Sequence, residues 1–156
     1  SLGLKSQSLY NHVSNLNEVK TNMSITLFRS LKTRLLEGIL GLTGKQAIEA
    51  YFAIFYTFCL EYKQFYEVLF LPGQESSQEL DQSFHEVIQI LHKLLAGVVS
   101  DPDKIQLYTR TLMSVFVGFV INDTNHFFQD EEKQGKKALD EILGLVMQGI
   151  VWLADQ

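Results

Sequence analysis

Gly3-Leu4-Lys5-Ser6-Gln7-Ser8-Leu9-Tyr10-Asn11-His12-Val13, followed by Asn15-Leu16-Asn17-Glu18-Val19, is the stretch from which the rest of the chain is read. Gly3 stands between Leu2 and Leu4 and can take the left-handed conformation that joins two helices, at no steric cost because it has no Cβ. A short helix is predicted after it, with Leu4, Leu9 and Val13 on its buried side. Gln7 and Asn11, four apart, share another face with Ser8 nearby. That face is amide and hydroxyl, not acidic. The short helix is expected to stop at Ser14, where Asn15 and Glu18 make the Asn-x-x-Glu variant of a capping box and start the next helix.

Amides bridge the N6 and N7 edge of adenine, and Lys5, Ser8, Tyr10 and His12 are residue types that bond phosphate oxygens. The pattern is that of the back half of a DNA-binding helix-turn-helix. Its candidate contact residues are Lys5, Ser6, Gln7, Ser8, Tyr10, Asn11 and His12, with Gln7 and Asn11 reading bases. Such a reader needs a preceding helix as its platform, so about thirty residues are expected ahead of Gly3.

Leu-Gly-Leu-Lys-Ser-Gln-Ser-Leu-Tyr-Asn-His-Val at 2–13, then Asn-Leu-Asn-Glu-Val at 15–19, resembles the recognition-helix signature of TetR-type (tetracycline-repressor-like) transcriptional regulators. The sequence departs from that signature at Lys5, where the family commonly has a capping Ser or Thr, and at Leu16, where it usually has Lys or Arg. The resemblance implies an all-α protein, double-stranded operator DNA of palindromic sequence as partner, and a homodimer built on a four-helix interface. It also implies backbone contacts for Tyr10 and His12, and release of DNA on binding a small effector, as in a repressor.

Length and composition set the frame around this stretch. At 156 residues and 17.8 kDa the chain accommodates the end of a DNA-binding domain at 1–16 and one helical effector-binding and dimerisation domain at 17–156. With 46% hydrophobic and 20% charged residues it is too apolar for disorder. Residues 1–37 carry five basic side chains against two acidic ones, a net +3, which leaves −8 on the rest. That asymmetry suggests a phosphate-facing end on an acidic body. The single Cys59 cannot form an internal disulfide and suits a reducing cytoplasm. No apolar run approaches the roughly twenty residues of a membrane span, so a cytoplasmic protein without membrane contact is expected.

Beyond the reader the periodicity is helical throughout. A long strut is predicted from Asn17 to about Leu42, with Val19, Met23, Leu27, Leu31, Leu35 and Ile39 recurring every fourth residue and Gly41-Leu42-Thr43-Gly44 as its exit. Further helices are predicted over 45–62, 64–71, 77–99, 101 to about 126 or 128, and 135–154. Ser76 or Ser77 can cap the fourth of these six helices, and Asp101-Pro102 caps the fifth. The last two helices are apolar on more than one side and carry Gly118, Gly144 and Gly149, so a homodimer through them is expected.

Between Tyr51 and Phe70 the chain is crowded with aromatic rings. A mostly apolar effector pocket is predicted there, lined by Phe55, Phe58, Cys59, Tyr62, Tyr66, Phe84, Ile88 and Phe116, with His92 or Asn122 as polar anchors and a small apolar or aromatic effector. Close-packed core is the plainer reading of the same rings. His85 and His92, seven apart, lie on nearly one side of their helix, but no third metal ligand joins them in the sequence. No phosphate-cradling loop, paired carboxylates or nucleophile elbow is found, so neither an enzyme nor a bound cofactor is expected. The alternative to a regulator is a helical small-molecule carrier or protein-interaction module without DNA binding.

Overall fold

The structure, a computed structural model, describes residues 2–63, 77–127 and 135–154, and helices make up nearly all of them. α1 spans Leu2–Gly38, α2 Gly44–Glu61, α3 Gln78–Ala96, α4 Pro102–Thr124 and α5 Lys136–Ala154. The all-α class is thus as read from the periodicity. The predicted helix over 64–71 lies outside the described residues.

The largest departure is at the start. α1 is one uninterrupted helix of 37 residues, about 55 Å long at 1.5 Å per residue. Gly3 lies inside it rather than in a turn, and it passes through Ser14 and Asn15 without the expected break. The reason lies in the chain between 4 and 37, which holds neither Gly nor Pro. Propagating an existing helix across Asn15 requires no new nucleus, whereas stopping and restarting it would.

Only the second half of α1 is embedded. Ile25, Phe28, Leu31 and Leu35 are buried, while Leu9, Val13, Leu16, Val19 and Met23 are exposed. The every-fourth-residue set therefore drifts out of the interface, because four residues advance 400° around a helix of 3.6 per turn. Buried positions follow the mixed three-and-four spacing that holds one face. α1 ends three residues before the predicted exit, and the chain reverses through Gly41 at φ 79°, a left-handed conformation that glycine takes without Cβ strain. At Gly38 a Cβ would fall 2.3 Å from Ile54 Cδ1, the flexible end of a side chain on α2 that would have to turn aside to admit it.

α2 is the central helix. Its Ala47, Ile48, Tyr51, Phe52, Phe55, Tyr56, Phe58 and Cys59 are all buried, and it meets each of the other four helices. The rings interlock: Phe116 of α4 lies 4.7 Å from Phe55 and 5.2 Å from Phe52, and Tyr51 stands edge-on to Phe52 at 5.0 Å. The buried Tyr51 hydroxyl donates to the Val87 carbonyl of α3 at 3.0 Å, and desolvation raises its pKa well above the ordinary phenol value.

Capping follows the sequence. Ser77 Oγ accepts from Leu80 N at 3.1 Å, and Asp101 Oδ1 accepts from Asp103 N and Lys104 N ahead of Pro102. α4 stops at Thr124, short of the predicted 126 or 128, where Thr124 Oγ1 and Asn125 Nδ2 donate to the carbonyls of Val120 and Ile121. His126 follows at φ 54°. Asp123 lies one turn earlier on α4. Its carboxylate accepts from Tyr56 Oη at 2.7 Å and from Gly135 N at 3.1 Å, tying α4 to α2 and to the start of α5.

Candidate functional site

Two regions stand out. The first is the free half of α1. From Lys5 to Lys20 every side chain is exposed, and the helix presents two opposite faces. Gln7, Ser8, Asn11 and Asn15 lie on one, Leu9, Val13 and Leu16 on the other, with Tyr10 and His12 on the two flanks. Tyr10 is 75% and Leu9 66% exposed. Lys5, Ser6, Gln7, Ser8, Tyr10, Asn11 and His12 thus fall within about two turns of one continuous helix, not on a separate reader helix after a turn. The apolar side expected to be buried is bare.

Part of the positive charge of this end is used internally. Arg29 pairs with Glu79 at 2.6 Å and Lys32 with Glu86 at 2.8 Å, both joining α1 to α3. Arg34 pairs with Glu61 of α2 at 2.5 Å, its guanidinium 5.1 Å from the centre of the Phe58 ring. The hydrogen bond from Lys32 is the largest influence holding the Glu86 carboxyl below its usual range, and the bond to Glu61 does most to raise Arg34. Three of the five basic residues counted toward a phosphate-facing end therefore serve as latches, which leaves Lys5 and Lys20 against Glu18, a net +1, on the free half.

The second region is a half-open cleft of 740 Å³ between α3 and α4, within the size range of small-molecule sites. Phe84, His85, Ile88, Gln89 and His92 line it from α3, and Gln106, Thr109, Arg110, Met113, Ser114 and Val117 from α4, with Pro102 and Asp103 at one end. Of the ten residues predicted to contact an effector, it gathers Phe84, Ile88 and His92. Six of the others are elsewhere. Phe55, Phe58, Cys59 and Phe116 are completely buried in the interlocked core, and burial pushes the Cys59 thiol up to about 12. Tyr62 caps the end of α2 and packs on Phe58 and Arg34, Asn122 is outside the cleft lining, and Tyr66 lies outside the described residues. Rings at α2 spacing meet one another before they can enclose space, so the aromatic crowd fills the core.

The sequence reading missed Gln106, Arg110, Met113 and Val117. Their spacing of four, three and four puts them on one side of α4, a polar-to-apolar gradient that could have marked the site. His85 and His92 do share it, although no group of three metal-ligating side chains occurs among the described residues. One tautomer follows from geometry. Thr109 Oγ1 donates its single proton to the Ile105 carbonyl at 2.8 Å, so its 3.4 Å contact with His92 Nδ1 has the ring nitrogen as donor. A neutral His92 then offers Nε2 as an acceptor.

No helix among the described residues is long and apolar enough to cross a membrane. No protein-family model, curated protein or solved structure matches the chain.

Proposed function

We propose that the protein is a ligand-responsive transcriptional regulator, acting as a repressor, that binds palindromic operator DNA as a homodimer in the cytoplasm. The observation that carries this reading is the free half of α1: amide, hydroxyl and cationic side chains in the resemblance-bearing register, all exposed, on a helix whose other half is embedded beside a ligand-sized cleft. A groove-reading helix needs side chains of that kind on one face and phosphate contacts on its flanks.

The coupling from cleft to reader rests on α3. Phe84 lines the cleft, and its ring lies 5.2 Å from Phe28 of α1. Glu79 and Glu86 of the same helix hold Arg29 and Lys32. An effector that reseats α3 therefore acts on α1 through a ring contact and two ion pairs. From Ser24 to Ser8 the free arm is about 24 Å long, so a tilt of about 5° moves the reader by about 2 Å. Only an effector with different affinity for the two tilts can shift DNA binding.

The dimer uses the outer faces of α4 and α5. Leu107 is 58% and Leu145 72% exposed, and Gly118 of α4 and Gly149, one turn after Leu145, have open space where a Cβ would stand. A second copy packing there is expected to bury more than about 1,000 Å². Selecting duplexes from a random pool with the full-length protein tests the whole reading: recovery of a two-fold symmetric sequence is the expected result, and recovery of no preferred sequence refutes it. That second outcome would favour the carrier or interaction-module reading. The bare stripe of Leu9, Val13 and Leu16 supports this alternative, because such stripes also dock partner helices.

A further inference from the structure

The α3–α4 cleft is graded along its length. Its far end is apolar, with Phe84 and Ile88 of α3 opposite Met113 and Val117 of α4. Its middle is polar and cationic, where Arg110 lies close in sequence to Thr109, the partner of His92. Arg110 makes no ion pair with a described residue. The one acid in the lining, Asp103, is seven residues earlier on α4, about 10 Å away along the axis.

We propose that this cleft binds an apolar monocarboxylic acid, its hydrocarbon part between Phe84, Ile88, Met113 and Val117 and its carboxylate on Arg110. The assignment rests on the effector reading above and names the effector's class. A planar guanidinium matches a carboxylate with two parallel N–H donors. An ammonium at the same place would meet a like charge, and an alcohol would leave the guanidinium without a counter-charge. The apolar end offers a polar chain no hydrogen-bond partner and so favours a hydrocarbon, and its Phe84 ring lies 5.2 Å from Phe28 of α1.

Octanoate, octan-1-ol and octylamine, matched in chain length, separate these cases when titrated into the full-length protein and followed by proton NMR of the histidine rings. There are four histidines, and only His85 and His92 line the cleft, so His12 and His126 are internal controls. Octanoate should shift His85 and His92 alone and bind roughly tenfold tighter than octan-1-ol, the weight of one charge-assisted pair near the surface. Arg110→Gln should abolish that preference without changing octan-1-ol binding, and Arg110→Lys should retain part of it. Equal binding of acid and alcohol, an acid preference that survives Arg110→Gln, or absence of binding by all three overturns the proposal. Acid binding at His85 and His92 in a protein with no affinity for any duplex would uphold the site and defeat the regulator reading instead.

Discussion

Replacing Phe116 by Ala should destabilise the protein by about 3–5 kcal/mol. The ring is completely buried and packed against both Phe55 and Phe52 of α2. Burying such a side chain is worth about 1.5–3 kcal/mol. Each aromatic pair adds about 0.5–1.5 kcal/mol, and the vacated space is costly because its walls belong to two well-anchored helices. Against a total stability of about 5–15 kcal/mol for a domain, this is a large share. Urea unfolding at one fixed protein concentration reads it directly: with a slope of about 2 kcal/mol per molar, the midpoint should fall by about 2 M. Phe84→Ala, at the half-buried edge of the cleft, should shift the midpoint much less. A loss below about 1.5 kcal/mol for Phe116→Ala would mean that the ring borders open space, which would refute the solid aromatic core.

Leu145→Glu should convert the proposed dimer to a monomer in sedimentation at micromolar concentration, because it sets two charges into the apolar face proposed to self-associate. A stable monomer in the parent protein would already contradict that interface. Cys59, buried with its thiol pushed up to about 12, should resist a thiol-modifying reagent at pH 8 and react once urea unfolds the chain; rapid labelling of the folded protein would contradict the packing of α2. Glu86 titrates below its ordinary value because of Lys32. Its contribution is therefore present above the unfolded carboxylate pKa and lost as pH falls through the lowered folded value. Thermal melts between pH 6 and about pH 3 should show that loss, and Lys32→Met should diminish it.

Much of the fold was legible because helix signals are local. Asp101-Pro102 and Ser77 fix their boundaries through hydrogen bonds within one turn, and the glycine at 41 marks a reversal that only its backbone allows cheaply. What the sequence did not reveal depends on competition between local preferences. Asn15 and Glu18 can cap a helix, but a cap forms only if the chain stops there, and nothing between 4 and 37 stops it. The aromatic residues of α2 were rightly placed on a helix and wrongly placed around a cavity, because their number does not say whether they meet one another or a ligand. Arg29, Lys32 and Arg34 counted as surface charge until α2 and α3 supplied their acids from 27 to 54 residues away. The cleft needed two helices to be seen at once.

The central claim is that the first three turns of α1 read DNA, and the affinity of the full-length protein for a selected duplex relative to a scrambled one tests it most directly. Asn11→Ala should lower that ratio about tenfold or more by removing a base-reading amide. Tyr10→Ala, at a backbone contact, should weaken both duplexes alike and leave the ratio unchanged. If both variants bind both duplexes as the parent protein does, these residues do not touch DNA and the account is wrong.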